Sequence, residues 1–210
     1  MSGARALILI GGGEHARVVA EAARHAVTPV ELLGFVDPGA CEETVRRLGL
    51  PRLGDDEALR EHREALGVLG FGALGSVPLR EKVVARAQGW LAGWATVIHR
   101  AAWVAPTAEV HEGSVIMAGA VVQTGARIGA HCIVNSGAIV EHDVALGDHT
   151  HVAPGVVLGG GVAVSAGAFI GLGARVRDHV RIGRGAVVGM GAVVLRDVDD
   201  GGRVMGVPAR

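Results

Sequence analysis

The strongest chemical signal in this chain is the run Ile139-Val140-Glu141-His142-Asp143, in which an imidazole stands between two carboxylates. An acidic neighbour can hold a histidine in one tautomer and raise the basicity of its other ring nitrogen, which suits a general base. Asp143 and Glu141 compete for that supporting role. His151 follows nine residues later. A second signal is Gly11-Gly12-Gly13-Glu14-His15-Ala16, placed directly after the apolar run Ala6 to Ile10. A glycine-rich turn between a strand and a helix is where backbone N–H groups and a helix N-terminus meet a phosphate. With Asp37 about twenty positions further on, the turn reads as G-x-G-x-x-A, a form shared by dinucleotide sites, nucleotide-sugar or phosphate sites and purely structural turns.

The elements that must position these residues differ between the two halves. From Ile98 to Val194 every sixth residue, seventeen in all, is Val, Ile or Leu. The third position after that aliphatic is Gly in ten of the seventeen repeats, and the fourth is small or β-branched. A period of six sets successive aliphatics about 240° apart on a helix of 3.6 residues per turn, so no helix can bury them together. Short strands with a sharp corner every six residues can, provided the corner residue accepts a positive φ. Three strands then close a triangular coil of 18 residues, and the second half holds between five and six coils.

That register sorts the histidines. His131, His149 and His179 take the corner position usually held by Gly, and His tolerates positive φ better than most residues; His131 and His149, one coil apart, should stack. Asp143 is a corner residue too. Cys132 falls at an inward position and belongs to the core. His142 and His151 are half a coil apart, so they cannot lie side by side on one chain, whereas in a threefold assembly of prisms His142 can meet His151 of a neighbour. Arg175, Arg181 and Arg184 read either as solvated charge or as partners for phosphates.

The first half reads as a small α/β unit. Strands are expected at 6–10, 30–36 and 67–71, and helices from the glycine turn to about His25, at 55–66 and at 79–90. This is half of a full dinucleotide fold, with three or four strands. The domain boundary falls between residues 95 and 96. Trp90, Trp94 and Trp103 flank it and are expected to pack one domain on the other.

Composition narrows the function. The 210 residues are 50% hydrophobic, only 3% aromatic and carry a formal charge of -1. No global basic field exists to hold nucleic acid or anionic lipid, and there are too few rings for base stacking. Nothing approaches the roughly 20 apolar residues of a membrane span, and two distant cysteines read as reduced thiols. A soluble, cytoplasmic protein is expected, with neither nucleic-acid partner nor membrane insertion.

Taken together, Gly11-Gly12-Gly13-Glu14-His15, Val97-Ile98-His99, Asn135, Ile139 to Asp143, His151 and the ending Gly206-Val207-Pro208-Ala209-Arg210 resemble the bacterial hexapeptide-repeat sugar acyltransferases, typified by sialic-acid O-acetyltransferase and the UDP-4-amino-sugar N-acetyltransferases. The resemblance implies a left-handed parallel β-helix after a half-Rossmann-like βαβ domain, a homotrimer, and acetyl-CoA held between subunits without a metal. It makes His142 the general base and Asp143 the carboxylate that tunes it. It assigns Gly13, Glu14, His15, Asp37, Gly72 and Asn135 to the nucleotide sugar, and His151, Leu172 and Met190 to acetyl-CoA. Glu14 departs from the family, which commonly has Gly there; a carboxylate beside a diphosphate is unfavourable unless it points away. The implied activity is N-acetylation of a UDP-linked amino sugar. O-acetylation of a sialic acid is the nearest alternative, and a β-helix metalloenzyme or a non-catalytic scaffold are more distant ones.

Overall fold

The computed structural model describes residues 4–72 and 77–210. The N-terminal unit is a five-stranded, all-parallel sheet of β1 (Arg5–Ile10), β2 (Val30–Val36), β3 (Arg52–Gly54), β4 (Leu66–Leu69) and β5 (Gly93–Trp94), in the order β3-β2-β1-β4-β5. Leu7 to Ile10 of the central strand are buried, as a continuous apolar run requires when both faces of a sheet are covered. One face packs against α1 (Glu14–Arg24) and α2 (Glu42–Leu48); the other packs against a 3₁₀ turn (Asp56–Glu61) and α3 (Val77–Ala87).

Five strands replace the expected three or four, because β3 and β5 are too short to stand out as apolar runs. The helix expected at 55–66 is only the 3₁₀ turn, capped by the Asp55 carboxylate on the Glu57 N–H, and the chain leaves it at His62. The segment Glu42–Leu48 forms a helix that hydrophobic periodicity did not announce.

The second half is the left-handed β-helix. Its inward aliphatics form three stacks, one per face. Val104, Val122, Val140, Leu158, Val176 and Val194 form one, and the parallel pairing keeps an offset of eighteen residues throughout, as in Val122 with Val140. Nearly all of these side chains are fully buried, and each contributes about 1.5–3 kcal/mol relative to exposure. The ten corner glycines have φ between 63° and 72°, and His131, Asp143, His149 and His179 take the same left-handed conformation at 55–59°.

The repeat ends after Val194. The next strand, Arg203–Val204, pairs with Val187–Val188 sixteen residues back instead of eighteen. Carboxylates of Asp197 and Asp200 accept the backbone N–H groups of Arg181 and Arg184, closing an edge that would otherwise be free to pair with another chain. At the other end the α/β unit covers the first coils. Val97, Val115 and Met117, on the outside of the β-helix, share a core with Leu7, Leu9 and Ala16.

Of the three tryptophans only Trp94 packs across the junction, edge-on to His131 at 4.8 Å between centroids. Trp90 lies under the Arg60 guanidinium within the N-terminal unit, and Trp103 is half exposed, so neither does what its position in the sequence implied.

Candidate active site

The turn after β1 is shaped by its glycines. Gly11 has φ +96°, and a Cβ on Gly12 would lie 2.6 Å from the Phe35 ring. The Asp37 carboxylate ties the turn to the end of β2, accepting the Gly12 N–H at 2.7 Å with one oxygen and the Gly39 N–H at 2.8 Å with the other. Beside the turn, at the carboxyl ends of the strands where open α/β sheets place their ligands, lies a cavity of about 580 Å³. Gly13, Asp37, Gly72 and His151 line it, and the ion pair of Asp56 with Arg86, 2.8 Å apart, stands at its wall.

Glu14 lines a different crevice, with Arg17, Cys41 and Arg47, on the other side of the turn. Its carboxylate therefore belongs to a space apart from the main cavity. His15 is half-buried, its ring centroid 6.0 Å from that of His151.

A second cavity, about 410 Å³, runs along one face of the β-helix. Asn135, His151, Leu172 and Met190 line it, together with Pro154 and Phe169. Leu172 and Met190 are exposed although apolar. His151 lies in both cavities and joins them; its ring stands edge-on to Phe169 at 5.1 Å, and its Nε2 is 3.4 Å from Asn135 Nδ2.

Five imidazoles have shifted pKa values, and these are of two kinds. Burial, reinforced by the charges of His15 and Arg80, pushes His151 down to about 3. Burial and then Arg80 push His15 down to about 4. His131, stacked on His149 at 5.1 Å, is also pushed down to about 4, chiefly by burial. Arg80 is the buried cation in their midst. It donates from Nη1 to the Phe71 carbonyl and from Nη2 to the His131 carbonyl at 2.5 Å, so it joins the α/β unit to the β-helix. Nothing in the sequence marked it, because it sits on an ordinary helix and acquires its role only where α3 meets the β-helix corner at His131.

His142 is the opposite case. It is exposed, its Nδ1 lies 2.9 Å from Asp143 Oδ2, and that hydrogen bond is the main cause of its raised pKa, with the charges of Asp143 and Glu141 adding to it. Groups whose environments push their pKa values apart mark separate acid–base roles. His142 lines neither cavity. Cys132 is buried and its thiol pushed up to about 12, an inert core residue; Arg175, Arg181 and Arg184 are exposed. Among the described residues no group of three or more His, Cys, Asp or Glu side chains could hold a metal, and no helix is long and apolar enough to cross a membrane.

An α/β unit with a glycine turn, set on a hexapeptide-repeat β-helix, is the architecture of the acyltransferases to which this chain is similar. The PglD N-terminal domain family matches residues 6–87, and the bacterial transferase hexapeptide family matches residues 125–160. The acetyltransferase domain of PglB from Neisseria gonorrhoeae, solved with acetyl coenzyme A, is 33% identical; the match covers 99% of each chain with a TM-score of 0.88. A His-to-Asn variant of perosamine N-acetyltransferase from Caulobacter crescentus, solved with CoA and GDP-perosamine, is 36% identical over 100% of this chain and 97% of that one, with a TM-score of 0.86. WeeI from Acinetobacter baumannii is 26% identical over 98% of this chain and 99% of its own, with a TM-score of 0.86. No curated protein sequence gives a significant match. The chain belongs to the hexapeptide-repeat sugar acetyltransferases that carry a PglD-type N-terminal domain.

Proposed function

We propose that this protein transfers the acetyl group of acetyl-CoA to the amino group of a nucleotide-linked amino sugar, acting in the cytoplasm as a homotrimer of two-domain chains, 1–95 and 96–210. The observation that carries this reading is the position of His151, which lines both the cavity beside the glycine turn and the apolar cavity on the β-helix. Two substrates bound one in each cavity meet there, which supplies the proximity that a direct transfer needs. The relatives support the pair of substrates, since the Neisseria domain was solved with acetyl coenzyme A and the Caulobacter enzyme with CoA and GDP-perosamine.

In this reading Gly13, Asp37 and Gly72 hold the nucleotide sugar, with His15 beside it and Glu14 turned away; Asn135, which the resemblance assigned to the sugar, lines the β-helix cavity instead, on the acetyl-CoA side of His151. His151, Leu172 and Met190 hold acetyl-CoA. The sugar amine attacks the thioester carbonyl, and His142 of the partner subunit takes the amine proton on Nε2 while Asp143 accepts the Nδ1 hydrogen bond. The tetrahedral intermediate collapses, the C–S bond breaks, and the proton passes from the imidazolium to the departing CoA thiolate. General-base catalysis of this kind contributes about 10²–10⁴-fold. A second chain is required because His142 lies outside both cavities of its own chain.

The test measures thiol release from acetyl-CoA with UDP- and GDP-linked amino sugars and with sialic acid side by side, for the wild type and His142→Ala. Release with an amino sugar, lost in His142→Ala, is expected. Release only with sialic acid would make the protein an O-acetyltransferase, and undiminished turnover in His142→Ala would remove the histidine from the mechanism.

A further inference from the structure

The second position after the inward aliphatic carries a side chain in every repeat between Arg100 and Arg196 except one, where it is Gly160. Backbone conformation does not demand this glycine. Its φ lies outside the left-handed region taken by the neighbouring corner residue Gly161, and the equivalent position holds Ala in three other repeats, at Ala118, Ala130 and Ala166. What occupies the space is His142, one coil earlier. A Cβ on Gly160 would lie 2.5 Å from His142 Nε2, 2.6 Å from Cε1 and 3.1 Å from Cδ2. The imidazole thus rests on the bare backbone of the next coil, its Nδ1 turned to Asp143. Asp143 is accommodated in the same manner from the other side. Its Oδ1 lies 2.5 Å from where a Cβ of Gly125, one coil back, would stand.

We propose that Gly160 is a positioning residue of the active site, whose missing side chain keeps open the space in which the His142 imidazole lies and so fixes the ring against Asp143. The inference rests on His142 as the general base. Because an exposed ring is what must move, an added methyl displaces the imidazole instead of the coil, and Gly160→Ala is expected to fold normally. The displaced ring loses its alignment both with Asp143 and with the reacting amine. Misplacement by about 1 Å can cost on the order of 10²-fold in rate.

The experiment compares wild type, Gly160→Ala and His142→Ala as the full chain. It records kcat and KM for both substrates and the titration of the His142 ring by NMR, its resonance assigned by its loss in His142→Ala. Gly160→Ala is expected to lower kcat by roughly 10- to 100-fold with both KM values changed by less than about twofold, and to move the ring titration to lower pH as the Asp143 bond weakens. An unchanged kcat, or a lowered kcat with an unchanged titration, would overturn the role of Gly160. Full activity of His142→Ala would instead overturn the general-base reading itself.

Discussion

His142 Nδ1 and Asp143 Oδ2 are held 2.9 Å apart by residues adjacent in sequence, because Asp143 takes the left-handed corner conformation at φ 59°. The chain turns at Asp143, so that two consecutive side chains, which would point to opposite faces of a strand, meet instead.

Asp143→Asn is therefore expected to keep the hydrogen bond and lose the charge. The hydrogen bond and charge of Asp143 both raise the His142 pKa, so the variant's base should titrate at lower pH and be weaker. The acid limb of the kcat profile should shift to lower pH while the plateau drops by about tenfold. A pH series of steady-state rates checks both.

The two cavities should be separable by mutation. Asp56→Ala removes a carboxylate from the wall of the first cavity and breaks the pair with Arg86. It should raise KM for the nucleotide sugar by about tenfold, a loss near 1.4 kcal/mol of binding, with KM for acetyl-CoA unchanged. Leu172→Asp, in the second cavity, should do the reverse.

Stability should fall in mild acid. His15, His131 and His151 have folded pKa values of about 4, 4 and 3, below the ordinary 6.5, so the unfolded chain binds more protons between those limits. Stability is then complete above pH 6.5 and is lost as the pH falls towards 4. For one such group the loss between pH 7.5 and pH 5 is roughly 2 kcal/mol. Urea unfolding at the two pH values measures it, and His15→Gln should reduce the difference.

Arg80→Ala should destabilise the junction between the domains. It removes donors from the carbonyls of Phe71 and His131, which are held from one buried guanidinium. A loss of about 2–6 kcal/mol is expected, at about 1–3 kcal/mol for each of the two unsatisfied groups. Arg80→Lys should recover only part of it, because a single ammonium lacks the planar fork that reaches two acceptors. Thermal denaturation decides between these outcomes.

Much of this molecule was legible in its repeat. A strict period of six from Ile98 to Val194 determined a triangular solenoid, its inward stacks, its corners at positive φ, the stacking of His131 on His149 and the burial of Cys132. These features depend on spacing along the chain, and a solenoid converts spacing along the chain directly into neighbours in space. The repeat left Asp143 and Glu141 both open as partners of His142, and the conformation of the chain at Asp143 decided between them. Tertiary structure decided the rest. It put Glu14 in a crevice apart from the main cavity, drew Arg80 to His131 across 51 residues, and made His151 the wall common to two cavities. It also placed the imidazole of His142 over Gly160. Each of these depends on how the α/β unit lies on the first coils, or on which way a side chain leans between coils. Periodicity carries no information on either, because both are settled by packing between segments far apart in the chain.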